Sequence, residues 1–93
     1  MFVGIVRIEL HLPAAQSLKD KRSVVRGLKE RIRSRVRAAV SEVDHQDLLQ
    51  RATLGVAVVS GESRQVGEML QSVRNLVEST FEAQLLDWQE QLL

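Results

Sequence analysis

Nine of the thirteen basic residues in this chain fall between Lys19 and Arg37, and only Asp20 and Glu30 offset them there. That stretch carries +7, nine cations less two carboxylates, and the rest of the chain carries −6 within a net charge of +1. The chemistry open to such a stretch is anion binding, because clustered cations attract a polyanion however small the total charge is. Lys19, Arg22, Arg26, Lys29 and Arg33 follow one another at intervals of 3, 4, 3 and 4 residues. At about 100° per residue they share an arc of about 80° on one helix, and they span roughly 21 Å of its axis. A ridge of that length matches several phosphates of a nucleic-acid backbone, whose counterions Lys and Arg release on binding. The arginine fork also fits phosphate oxygens. Lys21 joins the set at the helix start. Lys19, Lys21 and Arg22 lie in the first turn, where an exposed cation costs about 0.3–1 kcal/mol against the macrodipole. An anion docked on the free N–H groups offsets that cost.

The same stripe also reads as a solvated helix face, or as cations paired with acids such as Glu68 and Glu78 or with a second subunit. Within the helix only Glu30 reaches a stripe cation, Arg26, at four residues' spacing. Arg22 with Arg26, and Lys29 with Arg33, are like-charge pairs.

A second group, His45, Asp47 and Arg51, has the residue types of an acid–base or metal site, with Glu42 and Asp44 just upstream. Metal binding would need His11 or Glu9 alongside, and nothing in the spacing requires that. A hairpin loop whose Asp and Gln side chains satisfy backbone N–H groups is the better reading. No catalytic residue, metal or cofactor is assigned. The absence of Cys excludes disulfides, thiolate ligands and cysteine nucleophiles.

The elements that must position these residues follow from periodicity. Phe2, Gly4, Val6, Ile8, Leu10 and Leu12 alternate with Arg7, Glu9 and His11, the pattern of a strand with one buried face, and Pro13 ends it. Ser17 is a predicted N-cap, with Asp20 completing a capping box. Val24, Val25, Leu28 and Ile32 then form an apolar helical stripe. A second strand is predicted over Arg37–Val43, a loop over Asp44–Gln50, and a Val-rich strand over Arg51–Ser60. Gly61 breaks the chain. A helix is predicted over Glu62–Thr80, with Val66, Met69, Leu70, Val73, Leu76 and Val77 inward. The last predicted strand, Phe81–Trp88, leaves a tail that frays or docks. One domain over residues 1–93 therefore has the order β-α-β-β-α-β. This is an α+β, ferredoxin-like arrangement with two helices on one face of a four-stranded antiparallel sheet.

That architecture leaves one sheet face open. Val3, Ile5, Ala57 and Val59 alternate with core positions and point to it, an apolar patch suited to a homodimer interface. Phe2, Phe81 and Trp88 are the only aromatics, and none lies in the third strand, so base stacking on the sheet is not expected. Acylphosphatases share the topology, but their glycine-containing loop and catalytic Asn have no counterpart in Pro13–Leu18 or the central strands. No apolar run reaches the ~18 residues of a membrane span, and no small-residue cleavage site follows the N-terminal strand. A soluble, cytoplasmic protein without a membrane partner is expected.

Val3-Gly-Ile-Val-Arg-Ile-Glu-Leu-His-Leu-Pro13, Ser17-Leu-Lys-Asp-Lys-Arg22, His45-Gln-Asp47 and Gln50-Arg-Ala-Thr-Leu-Gly-Val-Ala-Val-Val-Ser60 resemble the YlxP family. The most specific pieces are Ser-Leu-Lys-Asp-Lys-Arg and His-Gln-Asp followed by Gln-Arg-Ala-Thr. These are small bacterial proteins of unknown function, encoded beside genes for translation initiation and ribosome maturation. The resemblance implies a ferredoxin-like fold and RNA or a ribosomal component as partner, and it supplies no catalytic residue. Leu49 is a departure, since relatives often carry an aromatic there, and this weakens any stacking role for the loop. The expectation is a non-enzymatic module that binds RNA phosphates through the first helix. The alternative is a protein-interaction or homo-oligomeric module with no nucleic-acid partner.

Overall fold

The protein is described here by a computed structural model covering residues 1–93. Its elements are β1 (Phe2–His11), α1 (Leu18–Val36), β2 (Ala39–Asp44), β3 (Arg51–Ser60), α2 (Ser63–Glu78) and β4 (Gln84–Leu92). The strands pair antiparallel in the order β2-β3-β1-β4, and both helices lie on one face. The long β1–β3 register, from Phe2 opposite Ser60 to His11 opposite Arg51, makes these two the central strands.

Alternation sorts the side chains. Val6, Ile8 and Leu10 of β1 and Leu54, Val56 and Val58 of β3 are buried under the helices. Val25, Leu28, Ile32 and Val36 of α1 and Val66, Leu70, Val73 and Val77 of α2 complete that core. Gly4 permits the close approach of α2 to β1. A Cβ at that position would stand 2.5 Å from Val66 Cγ1 and 2.9 Å from Leu70 Cδ1, well inside van der Waals contact.

At the start of α1, Ser17 Oγ accepts the Asp20 N–H at 3.0 Å, as predicted. The reciprocal bond differs from a standard capping box: Asp20 Oδ2 accepts from the Gln16 N–H at 3.1 Å rather than from Ser17. The helix ends on Arg37 in the left-handed region, φ 59°, whose N–H closes on Arg33 O. That left-handed residue turns the chain, so β2 starts at Ala39 rather than at the predicted Arg37. The last strand is corrected too. Phe81 lies in the turn before β4 and is 97% exposed. The polar tail through Leu92 pairs with β1 instead of fraying, and the Leu93 N–H donates to Val3 O at 2.7 Å. A register shift between Glu9 and Leu10 accommodates one extra residue of β4, which disrupts the period of two in its sequence.

Candidate nucleic-acid interface

Lys19, Arg22, Arg26 and Arg33 are exposed and Lys29 is half-buried. Their arc lies about 100° around α1 from the centre of its buried stripe, so the helix seats itself without covering them. Arg33 Nη2 donates to Val40 O at 3.2 Å, which places the ridge on the β2 side of α1. Along the outer surface of the same helix lies an open polar trough of about 780 Å³, containing Ser23, Gly27 and Ser34 and bordered by Arg31, Arg33 and Thr80. Glu30 and Glu82 also border it, so its field is less positive than that of the ridge itself.

The ion pairs divide the cations into two groups. All four basic residues outside Lys19–Arg37 are engaged: Arg7 with Glu9 and Asp44, Arg51 with Glu9, Arg64 with Glu68, and Arg74 with Glu78. Of the nine within the stretch, only Lys21 has a carboxylate partner. The expected Glu30–Arg26 pair does not form, and Glu68 and Glu78 are occupied by cations of their own helix. The ridge is therefore not neutralised within the chain.

Lys21 does not belong to the ridge. It is 2% exposed, and its Nζ donates to His45 O at 2.6 Å and Gln46 O at 3.3 Å while pairing with Glu42 Oε2 at 3.0 Å. A buried ammonium is tolerable only with such partners. These lock the β2–β3 loop onto the start of α1. Lys21, Val25, Leu28 and Ile32 are spaced by 4, 3 and 4 residues, the spacing of the buried stripe, and this was the signal for its true role.

The second predicted group is reorganised around a residue outside it, Glu9. Thr53 Oγ1 donates to Glu9 Oε2 at 2.7 Å, Arg51 Nη2 at 3.3 Å, and Arg7 Nε donates to Oε1 at 3.1 Å. His45 Nδ1 stands 2.7 Å from Thr53 Oγ1. Because the Thr53 proton is given to Glu9, Nδ1 is the donor in that contact. Burial pushes the Glu9 carboxyl up, but the hydrogen bonds from Thr53 and Arg51, with the charge and hydrogen bond of Arg7, outweigh it and hold it below its ordinary value. The Asp44 carboxyl is also lowered, chiefly by the His45 backbone N–H and then by the Arg7 hydrogen bond. His45 adopts φ 61°, and Asp44 Oδ1 accepts its N–H at 2.7 Å. Asp47 is exposed and joins nothing. No cluster of three His, Cys, Asp or Glu side chains offers a metal site. The hairpin-loop reading fits the bonds made: Gln46 Nε2 donates to Glu42 O, and Gln50 Nε2 to Pro13 O and Ala15 O. His11 Nδ1 meets Gln84 Oε1 at 3.1 Å as the polar end of its strand.

Val3, Ile5, Ala57 and Val59 share the open face as predicted, in the cross-strand pairs Val3–Val59 and Ile5–Ala57. Val59 is 57% exposed and the other three are half-buried. No helix is long and apolar enough to cross a membrane.

Comparison with known proteins agrees with this architecture. A solution NMR structure of a de novo designed protein with a ferredoxin fold superimposes with a TM-score of 0.57, over 100% of this chain and 84% of that one, at 10% identity. The uncharacterized protein YlxP of Bacillus subtilis is 32% identical over 77 residues, covering 83% of this chain and 84% of the relative. Residues 3–90 match the model of a family described as a protein of unknown function, DUF503. With a match that runs from β1 into β4, the chain belongs to the DUF503 family, of which YlxP is a relative.

Proposed function

We propose that this protein is a non-enzymatic module that binds RNA phosphates along α1. The observation that carries the reading is the division of ion pairs: Lys19, Arg22, Arg26, Lys29 and Arg33 have no carboxylate partner, while every cation outside their stretch has one. A surface needed only for solubility gains nothing from keeping like charges adjacent at three- and four-residue spacing, where they repel. A phosphate backbone converts that repulsion into binding. Phosphate contacts position a protein without reading bases, so the binding is weakly sequence-specific. The family resemblance directs attention to a ribosomal or precursor RNA in the cytoplasm, with structured RNA as the first ligand to try.

The test is retention of structured RNA by the wild type and by the double variant Arg22→Glu/Arg26→Glu. Both side chains are exposed and neither is bonded within the fold, so the variant should keep its melting temperature and lose retention. Retention unchanged in the folded variant contradicts the ridge. Absence of retention by the wild type on any structured RNA favours a protein partner instead.

A further inference from the structure

The open face of the sheet carries both apolar and polar side chains, and the polar ones are arranged unlike those of the helix ridge. Arg7 and Arg51 close on Glu9, Arg7 also on Asp44, and Thr53 joins Glu9 to His45. At the adjoining strand His11 meets Gln84, and Gln89 Nε2 donates to Asp87 Oδ2 at 2.9 Å. Both arginines and the Glu9, Asp44 and Asp87 carboxylates of this face have partners within the chain, although the Nε of Arg51 has none. Two cations against three carboxylates leave it nearly neutral. Mutual satisfaction is what a polar surface needs before water is removed from it, since each unpaired group then carries its full desolvation cost.

Beside this network the face is apolar. Val3, Ile5, Ala57 and Val59 occupy the two central strands, and Val43 folds over Gly55, where a Cβ would lie 2.9 Å from Val43 Cγ1. An open trough of about 680 Å³ runs between Ile5, Ala39, Val43 and Gln91. We propose that this face is covered by a second copy of the chain, forming a two-fold dimer by sheet-to-sheet packing.

Three features select that occupant. A nucleic acid would find no unpaired lysine and no aromatic on the face. A strongly charged protein would find no opposite field, whereas a near-neutral face does not repel its own copy. The patch is also self-complementary. A two-fold axis along the strands, between β1 and β3, lays Val3 and Ile5 over Val59 and Ala57 of the second copy, as an isologous interface requires. Four strands about 4.8 Å apart and ten residues of about 3.4 Å give a face of roughly 650 Å². Two such faces bury roughly 1,300 Å², at the low end of specific interfaces, and a micromolar dimer is expected. Because both helices lie on the opposite side of each sheet, the pair carries its two cationic ridges outward.

Sedimentation equilibrium of the full chain tests this, with Val59→Lys as the disrupting variant because that side chain is already largely exposed. Ile5→Lys is the second variant, and thermal melting in dilute solution checks that each is folded. The wild type should be a dimer at tens of micromolar, and a folded Val59→Lys or Ile5→Lys chain should dissociate at least tenfold more readily. Arg22→Glu/Arg26→Glu should dimerise like the wild type, which separates this result from the fate of the RNA reading. A wild type that stays monomeric up to millimolar concentration overturns the proposal. So does a folded Val59→Lys chain that dimerises unchanged, which would put the interface elsewhere.

Discussion

Lys21 and Arg22 are neighbours in sequence with opposite roles, and the difference lies in 100° of helix rotation. Arg22 points to solvent. Lys21 turns inward and ties two carbonyls of the β2–β3 loop and the Glu42 carboxylate of β2 to α1. Its place in the first turn groups Lys21 with the ridge cations in the sequence, because residue type alone does not reveal which lysine has acceptors arriving from more than twenty residues away. Two of the three are backbone carbonyls, which no side-chain pattern records. Replacing Lys21 by Met removes the ammonium and leaves Glu42 and the Gln46 carbonyl unmatched, while the His45 carbonyl keeps only the Leu48 N–H. Breaking a fully buried pair costs about 3–5 kcal/mol. Glu42 keeps 20% of its side chain in water, so a loss of about 2 kcal/mol is expected for this less buried pair. Urea unfolding of Lys21→Met measures it, and an unchanged midpoint would show that the strut contributes nothing. Under conditions where the variant is folded, its RNA retention should equal that of the wild type.

Among the elements, β1, β3 and the start of α1 were legible because each carries a clear pattern and a boundary signal: alternation ended by Pro13 in β1, a Val-rich run ended by Gly61 in β3, and the Ser17 cap before α1. β4 was less so. Its inward residues Leu85 and Trp88 are separated by two positions rather than one, with Leu86 taken up by the register shift beside β1. That erases the alternation from which a strand is read. The network joining β1, β3 and the hairpin was likewise hidden. Glu9 and Thr53 are forty-four residues apart, and only the antiparallel register makes them partners. This network makes the sheet sensitive to acid. A carboxyl held below its ordinary value contributes stability that is present above the unfolded-state pKa and lost as pH falls through the folded one. For Glu9 the ordinary value is 4.5, so its contribution is intact at neutral pH and declines below that value. Asp44 behaves in the same direction. Chemical denaturation at pH 7, 5 and 3 should show wild-type stability falling over the last interval. Glu9→Gln should be less stable at pH 7 and flatter between pH 5 and 3. Equal slopes for the two proteins would mean that Glu9 is not the linked group.

Viewed whole, the molecule has two surfaces of different construction built around one core. On the helix side, the ridge cations of α1 have no carboxylate partner; on the sheet side, Arg7 and Arg51 are paired within the face. The fold follows from local patterns that agree with one another, and the charge asymmetry is visible in the sequence. Which cations are free emerges only when the partners of Arg7, Arg51, Arg64 and Arg74 are placed. If the free ones neutralise phosphates, as proposed, RNA binding must weaken steeply with salt. With about five phosphates neutralised on a single strand, log K should fall against log salt with a slope of roughly −3.5. Substituting one ridge cation, Arg26→Ala, should reduce the magnitude of the slope by about 0.7. A wild-type slope near zero, or one that Arg26→Ala leaves unchanged, would show that the ridge does not neutralise phosphates.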